Sequence, residues 1–438
     1  MTQPTTVQVE PTDMNASVAR RSLILLLVLN LLTYMDRQVL AGVESLIQRD
    51  LLPNDPHAQT KMGLLATMFL VSYMVFSPVF GILGDKMSRW TLVGVGTILG
   101  SLATGWTGLA MSFAGIVAAR CMVGISEAAY APVAPTLLAD LYPVEKRGRI
   151  LAWFYAAIPV GSALGYAFGG LMAALIDWRW AFFGLVLPGL IAGGVALMYK
   201  DPRRGKAAQA AAGGPKNLTV RRAGLYKELF AIPSYVYCSI GMTAMTFAMG
   251  GIAFWMPRYI TSQWEGAELT KVNLIFGGIV VVTGLAATLV GGWAGDRLRS
   301  RFSGSYFLVS AAGLLTGFPL FLLMLATPFP AAWVFVGLAV FCLFFNTGPT
   351  NTVLANVTRA PVRATAFALN IFIIHAFGDA ISPPLIGFIA DRSSLRVAMA
   401  AVSVTFLIGG VAWLMGARHL AEDTRRANEV REDSPTVA

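Results

Sequence analysis

The chain has 438 residues, of which 56% are hydrophobic and only 13% carry a charged side chain. A soluble protein of this length could not cover its surface with so little charge, so the composition excludes a soluble globular fold. The formal net charge is +10, and a basic membrane face beside anionic lipid accounts for it without a nucleic-acid partner.

Twelve apolar stretches are long enough to cross a bilayer, which takes about 20 residues of helix. They predict an all-α polytopic membrane protein with twelve transmembrane helices. The stretches lie at residues 21–45, 62–83, 91–110, 113–141, 149–174, 181–199, 233–261, 271–293, 305–326, 331–357, 363–389 and 396–417. Residues 1–19 are polar and lack the order of a cleaved signal peptide, so we expect a disordered cytoplasmic tail there.

Lysine and arginine are distributed unequally between the two sides of the membrane. Of the 33 basic residues, 24 lie on the side shared with both chain ends and seven on the other side, while Arg37 and Arg120 lie within spans. Because positive charge is retained on the cytoplasmic side, this distribution predicts that both termini are cytoplasmic.

The chain divides into two similar halves around its longest loop. Residues 200–232 hold eight basic residues and an Ala/Gly-rich run, a composition typical of a flexible linker. Gly-Ile-Leu-Gly-Asp-Lys at residues 81–86 recurs as Gly-Trp-Ala-Gly-Asp-Arg at residues 292–297, and duplicated six-helix units are typical of secondary transporters. The predicted units are a six-helix bundle over 20–199, a linker over 200–232, a second six-helix bundle over 233–418 and a cytoplasmic tail over 419–438.

The repeated motif places an acid and a base just beyond two matching spans. Its glycines allow two helices to pack closely, and its acid can cap a neighbouring helix or pair with a base. Such a contact could act as a gating latch that breaks and re-forms as the halves move, whereas a single copy would also suit an ordinary loop. The predicted latch residues are Asp85, Lys86, Arg89, Asp296 and Arg297.

Ionisable side chains inside the spans are the main functional signal, because charge is costly in hydrocarbon. Arg120 and Glu127 lie seven residues apart on the fourth span, so they share one face about 10 Å apart along the axis. Counting about 1.5 Å per residue from the span ends places Asp36 of the first span at the depth of Arg120. We therefore predict an ion pair between Asp36 and Arg120. The alternative to a role in transport is a pair that only holds the two helices together.

Glu127 is the main candidate for a proton carrier. A carboxyl in a low-dielectric cavity retains its proton to higher pH than one in water, and no cation lies one turn away from Glu127 on its own helix. Arg120 would then modulate Glu127, or it could hold an anionic headgroup because its planar fork suits phosphate.

His375 and Asp379 lie four residues apart in the eleventh span and share a face. A hydrogen-bonded packing role and a proton relay are both open for this pair. Aromatic residues cluster in the second half of the chain, and an apolar wall opposite a charged first half would suit an amphipathic substrate.

Four segments carry a family pattern. They are residues 34–37 (Tyr-Met-Asp-Arg), 120–128 (Arg-Cys-Met-Val-Gly-Ile-Ser-Glu-Ala), 154–166 (Phe-Tyr-Ala-Ala-Ile-Pro-Val-Gly-Ser-Ala-Leu-Gly-Tyr) and 375–380 (His-Ala-Phe-Gly-Asp-Ala). Together they resemble the Spinster family of the major facilitator superfamily, and the likeness covers nearly all the spans. It implies the twelve-helix carrier fold in two six-helix bundles and proton-linked movement of lysophospholipids or sphingosine-1-phosphate-like lipids.

The resemblance also implies roles for individual residues. It makes Asp36, Arg120 and Glu127 the positions for proton coupling and substrate contact. The predicted substrate-binding set is Tyr34, Arg37, Arg120, Glu127, His375 and Asp379. Two departures from the family pattern are Ser126, where the family usually has glycine, and Lys86, where arginine is more common.

Other functions are open to a chain of this kind. An organic-anion or drug exporter of the same superfamily is the first alternative, and a membrane enzyme acting on lipids is the second. Three scattered histidines and no Gly-x-Ser-x-Gly element argue against the enzyme, while no ATP-binding Gly-x-x-x-x-Gly-Lys-Ser/Thr loop is present. The expectation is therefore a monomeric inner-membrane transporter of protons and a lipid or amphipathic small molecule, without enzymatic activity, cofactor or metal.

Overall fold

The computed structural model describes residues 13–142, 144–201, 224–359 and 362–432, and these residues confirm the predicted all-helical fold. Twelve helical segments are long and apolar enough to cross a membrane. The helices of the first half are α1 Asp13–Leu51, α2 Ala58–Lys86, α3 Arg89–Leu109, α4 Phe113–Tyr130, α5 Ala134–Leu141, α6 Val144–Leu175 and α7 Trp180–Leu197.

The second half repeats this plan with more interruptions. A short helix, α8 Leu225–Phe230, precedes it. Its helices are α9 Pro233–Gln263, α10 Leu269–Arg299, α11 Ser305–Ala326, α12 Ala332–Phe344, α13 Thr347–Val357, α14 Arg363–Ile374, a π-helix His375–Asp379, α15 Ser382–Arg392, α16 Leu395–Ala417 and α17 Leu420–Glu432.

Three predicted spans are broken inside the bundle rather than continuous. The fourth divides into α4 and α5 at Pro132, the tenth into α12 and α13, and the eleventh into α14, the π-helix and α15. Proline lacks the amide hydrogen that a helix interior needs, and a hydrophobicity pattern does not report such breaks. The membrane-spanning lengths are preserved across each interruption.

The predicted first tail differs from the structure at its inner end, and the predicted last tail contains a helix. Helix α1 begins at Asp13, inside the segment expected to be disordered, while residues 1–12 lie outside the described part of the chain. Hydrophobicity marks where a helix enters the bilayer and not where its backbone hydrogen bonding begins. At the other end α17 occupies much of the predicted tail, and its Asp423 accepts a hydrogen bond of 2.9 Å from the backbone of Ser234. Residues 202–223 of the predicted linker also lie outside the described residues.

Glycines on α6 let this helix approach α1 closely. A methyl group at Gly161 would lie 2.7 Å from the carbonyl oxygen of Leu31, and one at Gly165 would lie 2.5 Å from that of Met35. Ordinary van der Waals contact needs more than 3 Å, so only glycine fits at these positions. The packing fixes the orientation of α1, which carries Asp36 and Arg37 of the candidate site described below.

The two halves close against each other at one end of the bundle. We call the side where α1 begins and α16 ends the terminal side, and the opposite side the distal side. On the distal side Arg258 of α9 pairs with Glu44 of α1 at 2.8 Å. Asp391 of α15 accepts backbone hydrogen bonds from Gln59 and Thr60 at the start of α2, at 3.0 and 2.9 Å.

The terminal side lacks comparable connections in the part of the chain that the structure describes. Every hydrogen bond between two described residues from opposite halves uses residues in the distal half of their helices. Among the described residues, the polar contacts between the halves are therefore confined to the distal side.

Candidate functional site

The predicted ion pair between Asp36 and Arg120 is confirmed. Nη1 of Arg120 donates to Oδ2 of Asp36 at 2.8 Å, and the Thr104 hydroxyl donates to Oδ1 at 2.8 Å. Arg120 is 1% exposed and Asp36 is 7% exposed. The pair thus joins α1, α3 and α4 in the interior of the first half, where an uncompensated charge would be strongly destabilising.

Close packing of α4 on α2 brings Arg120 into this position. A side chain at Gly124 would collide with the backbone of Phe69 on α2. The guanidinium carbon of Arg120 consequently lies 5.4 Å from the centre of the Phe69 ring, a distance at which a cation is attracted to the face of an aromatic ring.

Glu127 pairs with Arg37 of α1, and this pairing was not predicted from the sequence. Nε of Arg37 donates to Oε2 of Glu127 at 3.1 Å, and Nη2 donates to Oε1. The expectation that Arg120 is the cation modulating Glu127 therefore needs correction, because a neighbouring helix supplies a cation directly. A bidentate pairing of this kind is the strongest form of carboxylate recognition by arginine.

Aromatic rings surround the Arg37 guanidinium. Its central carbon lies 4.9 Å from the ring centre of Tyr34, 4.8 Å from that of Phe69 and 5.9 Å from that of Tyr73. The side chain of Arg37 is 20% exposed, whereas that of Glu127 is 6% exposed. Arg37 is thus the more accessible partner of its pair.

Three residues that contact the side chains of these two ion pairs are not predicted from the sequence. They are Phe69, Tyr73 and Thr104. Phe69 and Tyr73 lie four residues apart on α2, so one face of that helix presents both rings to Arg37. That spacing is the signal that could have found them, whereas nothing in the sequence distinguishes Thr104 from other hydroxyl residues on α3.

His375 and Asp379 contact each other in the second half. Nδ1 of His375 lies 3.0 Å from each carboxylate oxygen of Asp379. The two residues are the first and last of the π-helix, a rare element that is frequently found at functional sites. A side chain at Gly250 of α9 would collide with Asp379, so the π-helix packs tightly on α9. No hydrogen bond or ion pair between described residues joins this pair to the cluster around Glu127.

The predicted latch residues make contacts inside their own halves. Arg89 pairs with Asp140 at 2.7 Å and with Asp201 at 3.0 Å. Asp296 accepts a hydrogen bond of 2.8 Å from the Tyr306 hydroxyl.

The remaining latch residues are Arg297, Lys86 and Asp85. The guanidinium of Arg297 lies 5.7 Å from the Trp293 ring centre, and Lys86 is exposed. The side chain of Asp85 lies outside the described part of the chain. Among the residues described, these side-chain contacts of the latch motifs thus lie within one half each.

Within the described ranges, no group of three or more His, Cys, Asp or Glu side chains is arranged to hold a metal ion. The charged cluster instead consists of two carboxylates and two guanidiniums that neutralise each other in pairs. Chemically, such a cluster can exchange partners, accept a proton on a released carboxylate and present a guanidinium to an anion.

Comparison with known proteins identifies the family. The family model described as Major Facilitator Superfamily matches residues 26–376. Protein spinster homolog 3 of Danio rerio is 34% identical over 93% of this chain and 87% of its own length, and protein spinster homolog 1 of Homo sapiens is 34% identical over 91% and 80%.

Solved structures share the fold. A bacterial homolog of the human lysosomal transporter Spinster, in an inward-facing and unoccupied conformation, superimposes with a TM-score of 0.80 at 19% identity and covers 94% of this chain and 99% of its own. A D-xylose-proton symporter gives a TM-score of 0.68 at 17% identity, with coverages of 91% and 96%. The chain therefore belongs to the Spinster family of the Major Facilitator Superfamily and is a membrane transporter, not an enzyme.

Proposed function

We propose that this transporter couples proton movement to the transport of an amphipathic lipid with an anionic headgroup, such as a lysophospholipid. The observation that carries the proposal is the bidentate pair between Arg37 and Glu127 inside a membrane-spanning bundle. A charged pair in this environment is costly to maintain, and a role in transport explains its presence better than packing does.

Arg37 is the residue best suited to receive the headgroup. It is partly exposed, and its contacts with Tyr34, Phe69 and Tyr73 are to the ring faces, while its fork donates to Glu127 and could donate to another anion instead. A phosphate group matches the fork as well as a carboxylate does. His375 and Asp379 would contact the same substrate from the second half when the halves approach each other.

Competition for Arg37 would couple the two movements. An anionic substrate that takes Arg37 leaves the Glu127 carboxylate without its cation in a region of low dielectric constant. Loss of a nearby positive charge favours the neutral form of a carboxyl group, so Glu127 would take up a proton as substrate binds. When the substrate leaves, Arg37 would return to Glu127 and displace that proton.

Alternating access would proceed by rocking the two bundles, 20–199 and 233–418, about the linker at 200–232. Given the excess of basic residues beside the chain ends, the terminal side would face the cytoplasm of a cell whose inner membrane holds the protein. Polar contacts confined to the distal side would then correspond to an inward-open state. Each monomer would carry a complete site, because all the residues invoked belong to one chain.

The first test is accumulation of a labelled lysophospholipid by the purified protein in proteoliposomes under a pH gradient. Glu127→Gln mimics a permanently protonated carboxyl, so it should still exchange substrate across the membrane but lose accumulation driven by the gradient. Glu422→Gln, which alters an exposed acid on α17, is the matched control and should behave as the parent protein does. Accumulation by Glu127→Gln at the parental level would refute the coupling role of Glu127.

The alternative substrate class is a small organic anion or drug. The same proteoliposomes can be loaded with a panel of lysophospholipids and, separately, of apolar organic anions that lack a long chain. Thermal stabilisation of the protein follows mass action, so ligands rank by affinity. Stabilisation by the short anions without any by the lysophospholipids would favour the exporter over the lipid carrier.

A further inference from the structure

A small cavity with several polar side chains in its wall lies inside the first half, between α1, α3, α4 and α7. Its volume is about 70 Å³. Asp36 and Glu127 both line it, and the hydroxyl residues Thr97, Ser101 and Ser126 form much of the rest of its polar wall. The cavity therefore connects the two carboxylates of the candidate site from within the bundle.

Four of the hydroxyl groups that line this cavity offer acceptor positions rather than hydrogens. Thr97, Ser101 and Ser126 each donate to a backbone carbonyl three or four residues earlier on the same helix, at 2.8, 2.8 and 2.7 Å. Thr104 donates to the Asp36 carboxylate. Because these hydrogens are committed, the oxygens can only accept hydrogen bonds from whatever occupies the cavity. The favoured occupant is therefore a hydrogen-bond donor.

Water fits this requirement in both size and chemistry. One water molecule takes up about 30 Å³ in the liquid and makes about three hydrogen bonds when it is buried. The cavity has room for two, and the carboxylates and hydroxyl oxygens supply acceptors for their hydrogens. An added proton is also stabilised there, since it turns a water molecule into a stronger donor.

We propose that this cavity holds a pair of water molecules that carry a proton between Glu127 and Asp36, with Thr97, Ser101 and Ser126 as the residues that position them. The inference rests on the proposed proton coupling and adds the path by which the proton moves. Tyr34, Phe69 and Tyr73, the rings around Arg37, are not among the residues that line the cavity. The proton would thus travel behind α1 while the substrate is held on its other face.

The transfer conserves atoms and charge. Protonated Glu127 gives its proton to the first water, that water passes one of its own to the second, and the second gives one to the Asp36 carboxylate. Both waters end as they began, and no electrons are transferred. Glu127 regains the negative charge that attracts Arg37, while neutral Asp36 releases Arg120. While a proton resides on one of the two carboxylates, only the other ion pair would form, whereas both pairs form in the state described here. Each proton position is thereby linked to a distinct arrangement of α1 and α4.

The test removes oxygen atoms from the cavity without changing its shape. Thr97→Val and Ser101→Ala should each lower accumulation of lysophospholipid under a pH gradient by about tenfold or more, because positioned proton-transfer groups commonly contribute that much. Exchange of substrate at equal pH on both sides needs no net proton movement and should remain within about twofold of the parent. A purely structural role would lower both activities together.

A residue that lines a neighbouring apolar cavity provides the matched control. A second cavity of about 60 Å³ adjoins α3, where Val95 and Leu99 help to line it. Val95→Thr is the opposite of Thr97→Val, because it adds a hydroxyl group to α3 while keeping the shape of the side chain. It should leave both the accumulation and the exchange of substrate unaltered. It also reports whether any hydroxyl change on α3 disturbs folding.

The outcomes separate this inference from the proposed function. If the parent protein accumulates substrate under a pH gradient and both cavity variants do so equally well, the water path is wrong while the coupling role of Glu127 stands. If the parent shows no accumulation, the proposed coupling fails and the water path fails with it. Should Thr97→Val not fold, Ser101→Ala decides the question.

Discussion

At the scale of single residues, two consecutive side chains of α1 organise the charged cluster. Asp36 points to Arg120, and Arg37 points to Glu127. Neighbouring helical residues differ in direction by about 100° (3.6 residues per turn), so one short segment of α1 engages two positions of α4 with opposite polarity. Moving α1 relative to α4 must therefore disturb both pairs together, which is what a coupling element requires.

The Asp36–Arg120 pair yields a prediction for a double-mutant cycle. Asp36→Asn or Arg120→Gln alone leaves a buried charge without its partner, which typically costs about 3–5 kcal/mol. The double variant leaves no charge behind, so its loss of thermal stability in detergent should be smaller than the sum of the single losses. Additive losses would contradict an energetic coupling between the two side chains.

The sequence predicts the Asp36–Arg120 pair but not the Arg37–Glu127 pair, and the difference has a physical reason. Counting residues from the ends of a span gives depth along the membrane normal, and depth alone was sufficient to match Asp36 with Arg120. The partner of Glu127 depends on the rotation of α1 about its axis, and that rotation is set by packing of α6 on α1. Thr104 was missed for the same reason, since its contact with Asp36 depends on how α3 is oriented.

At the scale of helices, contacts between small residues determine which side chains face inward. The α6 positions Gly161, Gly165 and Gly169 follow the backbone of α1 between Leu31 and Val39. This stretch of α1 includes Asp36 and Arg37, so the close approach of the two backbones holds the charged segment in one orientation. Four-residue spacing of small residues favours a close helix crossing, but such a spacing does not identify α1 as the partner.

A methyl group at Gly165 tests this packing. Gly165→Ala would place its Cβ 2.5 Å from the carbonyl oxygen of Met35, and overpacking of this kind typically costs about 1–3 kcal/mol. We expect a lower melting temperature of the detergent-solubilised protein. Gly194→Ala on α7 meets nothing within 4 Å, so it should be neutral or stabilising, because alanine is the better helix former by up to about 1 kcal/mol. Equal melting temperatures for the two variants would show that the α1–α6 crossing tolerates extra volume.

At the scale of the whole molecule, the two halves are held together at the distal side by polar contacts of different kinds. The ion pair between Glu44 and Arg258 is joined by Gln48, which also accepts a hydrogen bond from Arg258. Glu44 is 1% exposed, so opening the distal side must hydrate a carboxylate that is now buried. The twelve helices and their two-bundle repeat could be anticipated from hydrophobicity and duplication, whereas the closed end could not, because it depends on contacts between residues more than 200 positions apart.

Exchanging the two charges of the distal pair provides a test of this closure. Glu44→Arg alone sets two cations together and Arg258→Glu sets two anions together, and either variant leaves charge unpaired at a cost of about 3–5 kcal/mol. A change of about 5.5 kcal/mol is enough to invert a population from 99:1 to 1:99, so each single variant should populate the distal-open state substantially.

Spin labels at Asn54 and Glu265, two exposed positions on the distal side, would then report longer distances. The double variant restores an ion pair of reversed polarity and should return the distances toward those of the parent. The same reversal at the exposed pair of Glu422 and Arg426 on α17 should leave the distances unchanged, and a similar response at both places would mean that the distal pair does not hold the halves closed.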